Sequence, residues 1–336
     1  MTTLNGMTYG LFATLIIGVI IQQIGRLLNI ELLHTTVYLR LAGLMGAGIG
    51  LGIGLTLKME GLKLVVAGVM GGIATSFRLT FTNGLELVQN NEPLTVYLVV
   101  VFGLLLLNLI LRKKTPVDIL LIPLLGVFIA IVLTLGISAP MRFLVDTIQI
   151  YVHSATAYAP FFMSIVIAVI MGMLLTSPLS SAAIAITINL SGVAGGAAVI
   201  GTTAQMIGFA VQSRKDNNIG MVLSIAFGTS MLQFKNILRK PMIWLPTIIT
   251  SAILGPIFVL MLGTTTTKEG AGMGSSGFVG QLQTLFHMNY SGMAWLSVGL
   301  MIALSATFVF AIDLIFRKMN WIVEGDLAVN NDISGK

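Results

Sequence analysis

The stretch that decides the fold is residues 176–212, TSPLSSAAIAITINLSGVAGGAAVIGTTAQMIGFAVQ. It is long enough to cross a bilayer and contains no charged residue. Yet Thr187, Asn189, Ser191, Thr202, Thr203 and Gln205 recur inside it, and Gly192, Gly195, Gly196 and Gly201 interrupt it. Backbone at membrane depth leaves the helix only where protein buries it or where it lines a watery cavity. Uncharged hydrogen-bonding groups beside broken helix are what a midplane site for a polar solute requires. The competing reading is a helix with small residues packed against its neighbours, and it leaves the cluster of Asn, Gln and Thr unexplained. Residues 179–190 read as a re-entrant arm, with Ser177-Pro178 placing proline at a helix start. Residues 197–211 read as a further span.

Composition sets the class. Of 336 residues, 56% are hydrophobic and 9% charged, with mean hydropathy +0.98. Soluble domains carry about 25% charged residues, so this is an all-α polytopic membrane protein. The net charge of +6 reflects Lys and Arg in cytoplasmic loops. No basic stripe with interleaved aromatics accompanies it, so no nucleic-acid partner is expected. The absence of cysteine excludes disulfides, thiolate metal sites and a phosphocysteine in this chain. No HExxH, Walker sequence or carboxylate cluster occurs. No catalytic residue, metal site or cofactor is expected, and the chain does not read as an enzyme. No Lys or Arg precedes the first apolar run, unlike a cleaved signal peptide.

Hydropathy predicts about ten crossings plus one or two re-entrant pieces. Gly46, Gly50 and Gly54 fall at i, i+4 and i+8 in the second span, a spacing that lets another helix approach closely. A polar loop with Arg78, Asn83, Glu86 and Glu92 follows the third, and Arg112-Lys113-Lys114 ends the fourth. In residues 140–159, Phe143, Leu144, Ile148, Tyr151 and Val152 lie opposite Arg142, Asp146, Gln149 and His153. That pattern predicts an amphipathic helix at the interface. The chain then divides into a scaffold half (1–139), this linker (140–159), a solute-binding half (160–318) and a polar cytoplasmic tail (319–336). Asp313 is a functional candidate as a membrane-embedded acid, or pairs on the surface with Arg317 at i+4. Lys and Arg asymmetry puts both termini in the cytoplasm.

Residues 272–277, Gly-Met-Gly-Ser-Ser-Gly, match G-x-G-x-x-G literally. A dinucleotide site needs a preceding strand and a later acidic residue; here a threonine run precedes inside an apolar chain. The glycines instead read as freeing backbone N–H groups to face a solute, as at a helix start, or as an ordinary loop.

Several segments together carry a resemblance: residues 177–183 (SPLSSAA), 195–198 (GGAA), 205–211 (QMIGFAV), 228–232 (GTSML) and 270–277 (GAGMGSSG). They resemble stand-alone enzyme-IIC-like membrane proteins of the bacterial sugar phosphotransferase system, the perfringolysin O regulator among them. The resemblance covers roughly residues 176–281. It implies a homodimer in the bacterial plasma membrane, with the first half as scaffold and dimer contact and the second carrying two re-entrant hairpins around a solute. Such permeases hand their sugar to a phosphorylated partner, so a separate phosphotransferase subunit is a candidate partner. The chain lacks the Gly-Ile-Thr-Glu sequence that supplies a sugar-binding carboxylate in glucose-type relatives, which leaves the sugar open.

The expected function is transport of a small polar solute, a sugar or related metabolite. The alternative is a membrane-embedded sensor of such a solute acting through a partner protein. The candidate ligands are Asn189, Ser191, Thr202, Thr203, Gln205, Thr229, Ser230, Gln233, Ser275 and Ser276, with Gly195, Gly196, Gly272, Gly274 and Gly277 exposing backbone dipoles around them.

Overall fold

The computed structural model describes residues 3–80, 84–86, 92–111, 116–177 and 180–329. Pro178 as a helix start, Asn83 in the polar loop, the Arg112-Lys113-Lys114 flank and the end of the tail from 330 lie outside the described residues. Among those described, six helices are long and apolar enough to cross a membrane, or eight if two bent helix pairs each count as a span. Two shorter apolar helices, Leu62–Ala74 and Pro160–Thr176, accompany them. The protein is all-α and polytopic, as its composition requires.

The chain forms two compact units. The first runs to Ile150 and takes in Ile186–Ile188; the second holds the rest from Tyr151.

In the first unit, α1 (Thr3–Leu11) continues through a π-helical turn into α2 (Ile17–Leu27). After α3 (Tyr38–Gly43) come α4 (Met45–Thr56) and α5 (Leu62–Ala74). The glycine stripe of α4 is used on two sides. A Cβ at Gly46 or Gly50 would overlap the carbonyl of Gly71 or Ala67 on α5, and one at Gly52 would overlap the carbonyl of Gly6 on α1. In lipid, helices associate through van der Waals contact rather than hydrophobic expulsion, so this closeness is the cohesion of the unit.

Where a polar loop was expected, Arg78–Thr80 and Gly84–Glu86 pair as a short antiparallel hairpin, β1 and β2. Two long helices follow, α6 (Pro93–Ile110) and α7 (Asp118–Tyr158). Just before α6, the buried Glu92 accepts from Arg142 of α7 at 2.8 Å and from Thr95 at 3.1 Å.

The 41 residues of α7 form one helix with Pro123 and Pro140 inside. The expected break between a fifth span and an interfacial helix at Pro140 is therefore absent. At 1.5 Å per residue the helix is about 60 Å long, about twice the hydrocarbon core.

The second unit is built on α10 (Gly192–Gln212), in which every residue from Ala194 to Ala210 is buried. Around it stand α8 (Pro160–Thr176), α13 (Leu245–Met261) and α16 (Gly292–Lys318). Small residues on every face permit this. A Cβ on Gly201 would overlap the carbonyl of Ala168 in α8, and one on Gly208 would meet Thr247 of α13 and Val309 of α16. Short α9 (Ser181–Thr187) precedes α10. Beyond α10, α11 (Ile219–Phe227) turns back through 119° into the Ser230–Arg239 segment, whose end is α12 (Phe234–Arg239). Between α13 and α16 lie α14 (Lys268–Ala271) and α15 (Val279–His287).

The tail departs from expectation as far as Val329. Asp216 accepts from the backbone N–H groups of Gly325 and Leu327, each at 3.1 Å. Asn217 accepts from Val329 N–H and donates to Leu327 O, each at 2.8 Å. Lys240 pairs with Asp326 at 2.6 Å, and Ile322 and Leu327 are buried among Phe209, Ile225 and Ile237. Two apolar anchors and side chains that satisfy its backbone make this segment a strap across the foot of the bent helix pair. Asp313 is likewise no surface acid. It is fully buried and bonded by Arg214 and Arg317, each at 3.0 Å, because α10 and α16 pack closely enough to enclose it.

Candidate functional site

The bend between α11 and the 3-10 turn Ser230–Gln233 is made by Gly228 and Thr229. A Cβ on Gly228 would lie 2.5 Å from the Ser224 carbonyl, so the turn admits no larger residue without a shift. Helix ends leave carbonyls without partners. Here Ser275 Oγ donates to Ala226 O at 2.6 Å and Ser276 Oγ to Gly228 O at 2.9 Å. The Ser275-Ser276 pair thus ends α11 and holds the bend. Phe278 stacks on Phe227 with ring centroids 4.7 Å apart.

Ser230, just past the bend, is fully buried and lies 3.0 Å from Thr176 Oγ1 at the end of α8. Thr176 reaches Gln205 Oε1 at 3.3 Å. Gln205, in mid-α10, receives two further bonds on the same oxygen, from Trp244 Nε1 at 3.0 Å and Thr247 Oγ1 at 2.9 Å. Its amide nitrogen has no partner and is buried. An uncharged chain therefore links Ser230, Thr176, Gln205 and Thr247, drawn from four elements, and leaves an unused donor at its centre.

The second glycine-rich segment meets α10 beside it. Gly274, at φ +53°, lies against the backbone of Thr202, and Gly272 against Ser181 and Ala182. Ser181 Oγ donates to Gly272 O at 2.6 Å. Gln281 donates to Thr203 Oγ1 at 3.2 Å and keeps an unpartnered carbonyl oxygen. Gly272 and Gly274 here serve close approach, and Gly274 supplies left-handed backbone. The N–H groups of Ser276, Phe278 and Gly280 are all taken by backbone carbonyls. Gly277, at φ +52°, is exposed within the short 3-10 segment Ser276–Phe278.

The other expected ligands lie elsewhere in the unit. Gly195 and Gly196 press on Thr266 and Thr264. Asn189, at φ +48°, closes α9, and Ser191 precedes α10 without a side-chain cap bond. Thr202 returns its hydroxyl to Ala198 O at 2.9 Å. Thr229 is exposed and caps the next turn through Met231 N–H. Gln233 turns away to the strap: its nitrogen donates to Leu327 O at 2.9 Å and its oxygen accepts from Asn236 at 2.8 Å. Both ends of Gln233 are thus tied to the strap and α12. Thr176, Trp244, Thr247 and Gln281 were missed, because single polar residues in apolar helices carry no pattern in sequence.

Over residues 1–329 the chain matches the family described as "Phosphotransferase system, EIIC". The chain belongs to the phosphotransferase-system enzyme IIC family. No curated protein and no solved structure matches it. The match takes in the first half, where hydropathy alone had spoken. This enzyme IIC chain is thus a multi-pass membrane protein of the phosphotransferase sugar-transport type, and its second unit holds an uncharged polar cluster at a sharp helix reversal.

Proposed function

We propose that this enzyme IIC chain is a permease for a neutral, polyol-like solute, a sugar or related metabolite, and not itself a catalyst. The observation that carries the reading is the hydrogen-bonded chain Ser230–Thr176–Gln205, uncharged and centred on an unused buried amide nitrogen. A buried donor without a partner costs roughly 1–3 kcal/mol, which a solute oxygen would offset on binding. Charged solutes would need a countercharge at this point, and none is bonded to the cluster. The solute lies among Gln205, Thr176, Ser230 and Trp244, where the indole offers an apolar face. The bent pair α11–α12 is the moving element, held at its tip by Ser275 and Ser276. The protein resides in the bacterial plasma membrane with both termini cytoplasmic, as a homodimer, and a separate phosphotransferase subunit is its candidate partner.

The test is uptake into liposomes holding the purified protein, with labelled hexoses, pentoses and hexitols. Saturable accumulation of one of them, abolished or strongly reduced in Gln205→Ala, is expected. Saturable binding without any passage across the membrane would instead favour a sensor.

A further inference from the structure

A cavity of the second unit is lined by none of the residues of the polar cluster. It has a volume of about 260 Å³ and opens between α12 and the strap. Lys235, Asn236 and Arg239 form one wall, and Gly325, Ala328 and Val329 the other. Lys235 and Arg239 stand at i and i+4, on one helix face, and both are exposed. Neither has an ion pair among the described residues. Among the described residues, no carboxylate lines the cavity. Two acids of this region are engaged: Asp326 by Lys240 and the Val323 N–H, Asp216 by the N–H groups of Gly325 and Leu327.

Cations at a cytoplasmic helix end commonly mark nothing beyond orientation. Such cations stand free in water. Here the strap faces them across the cavity, and its backbone is held there by Asp216, Asn217, Gln233 and Asn236.

We propose that this cavity is an anion site for a phosphate group. A doubly charged oxyanion matches two adjacent cations. Arg contributes a planar fork of donors and Lys a point charge, the pair of contacts that suits phosphate oxygens. The cavity is roomier than an inorganic ion needs, so it has space for a small organic phosphate. One half of the site belongs to the bent helix pair and the other to the strap, so an occupant ties the two together. The phosphate comes from a soluble monoester or from a lipid headgroup.

Thermal unfolding of the full chain in neutral detergent tests the site, with inorganic phosphate, β-glycerophosphate and short-chain phosphatidylglycerol as probes. Sodium chloride at matched ionic strength and short-chain phosphatidylcholine are the controls. A saturable rise in melting temperature is expected with phosphate and β-glycerophosphate. In the double variant Lys235→Gln, Arg239→Gln the half-saturating concentration should rise at least about tenfold, as expected on losing two charge-assisted contacts. Both residues are exposed, so the variant should melt like the parent without added anion. Saturation by phosphatidylglycerol alone, lost in the same variant, would assign the phosphate to lipid. The proposal is overturned if no phosphate probe acts beyond its control, or if the double variant responds as the parent does.

Discussion

The indole N–H of Trp244 donates to the side-chain oxygen of Gln205 across 3.0 Å, and this bond fixes which end of the amide is free. An indole nitrogen can only donate, so the amide oxygen must face it and the NH2 group must point away. Thr176 and Thr247 hydroxyls would tolerate either orientation. Trp244 therefore decides that Gln205 offers donors and no acceptor to whatever lies beside it. Trp244→Phe should lower stability by about 1 kcal/mol, read from denaturant or thermal unfolding. It should also weaken binding of the transported solute more than that of the unrelated phosphate probes.

Gln205 and Ser276 should act on one ligand together. Gln205 reaches the bend through Thr176 and Ser230, and Ser276 holds the same bend through Gly228 O. Ala substitutions at the two positions should each weaken solute binding, with a coupling of about 0.5–3 kcal/mol between them. Strict additivity in the double-mutant cycle would separate Ser276 from the site.

Gly50→Leu should disrupt the first unit. A Cβ at Gly50 already overlaps Ala67 O, whereas one at Gly72 meets nothing within 4 Å. Overpacking costs about 1–3 kcal/mol in a yielding core, and more where the obstacle is backbone. The detergent-purified Gly50→Leu protein should aggregate or melt well below the parent, while Gly72→Ala melts like it. Equal behaviour of the two would mean that the stripe does not pack as described.

Asp313→Asn should be severely destabilising. It removes the charge facing Arg214 and Arg317, and breaking a buried pair in this way costs about 3–5 kcal/mol. Arg214 also donates to Val211 O at 2.6 Å and lies 4.6 Å from the centre of the Phe310 ring, but neither contact supplies a countercharge. The check is the yield of folded protein and its melting temperature.

Solute handling should not require phosphate on this chain, which has no cysteine to carry it. Incubation of the purified protein with labelled phosphoenolpyruvate and the general phosphotransferase proteins should leave it unlabelled. Stable label on the chain would contradict this.

Sequence alone determined the class of this protein and the address of its polar cluster. So few charges in so apolar a chain can fold only in a bilayer, and uncharged polar residues set among glycines in residues 176–212 have to be buried beside partners. Gln205 lies in that stretch, and Ser230, Ser275 and Ser276 lie in later uncharged polar segments beside glycine. Tertiary structure decided what each polar group is used for. Ser275 and Ser276 spend their hydroxyl protons on the end of α11, Gln233 serves the strap, and Gly272 and Gly274 let backbones touch. Thr176, Trp244 and Thr247 entered the site only through packing of α8, α10 and α13. The physical reason is that a hydroxyl or amide has few bonding positions, and these go to the nearest partner in space. Local sequence fixes how many such groups a helix carries and how closely it can be approached, while the packing of distant helices fixes which of them remain free.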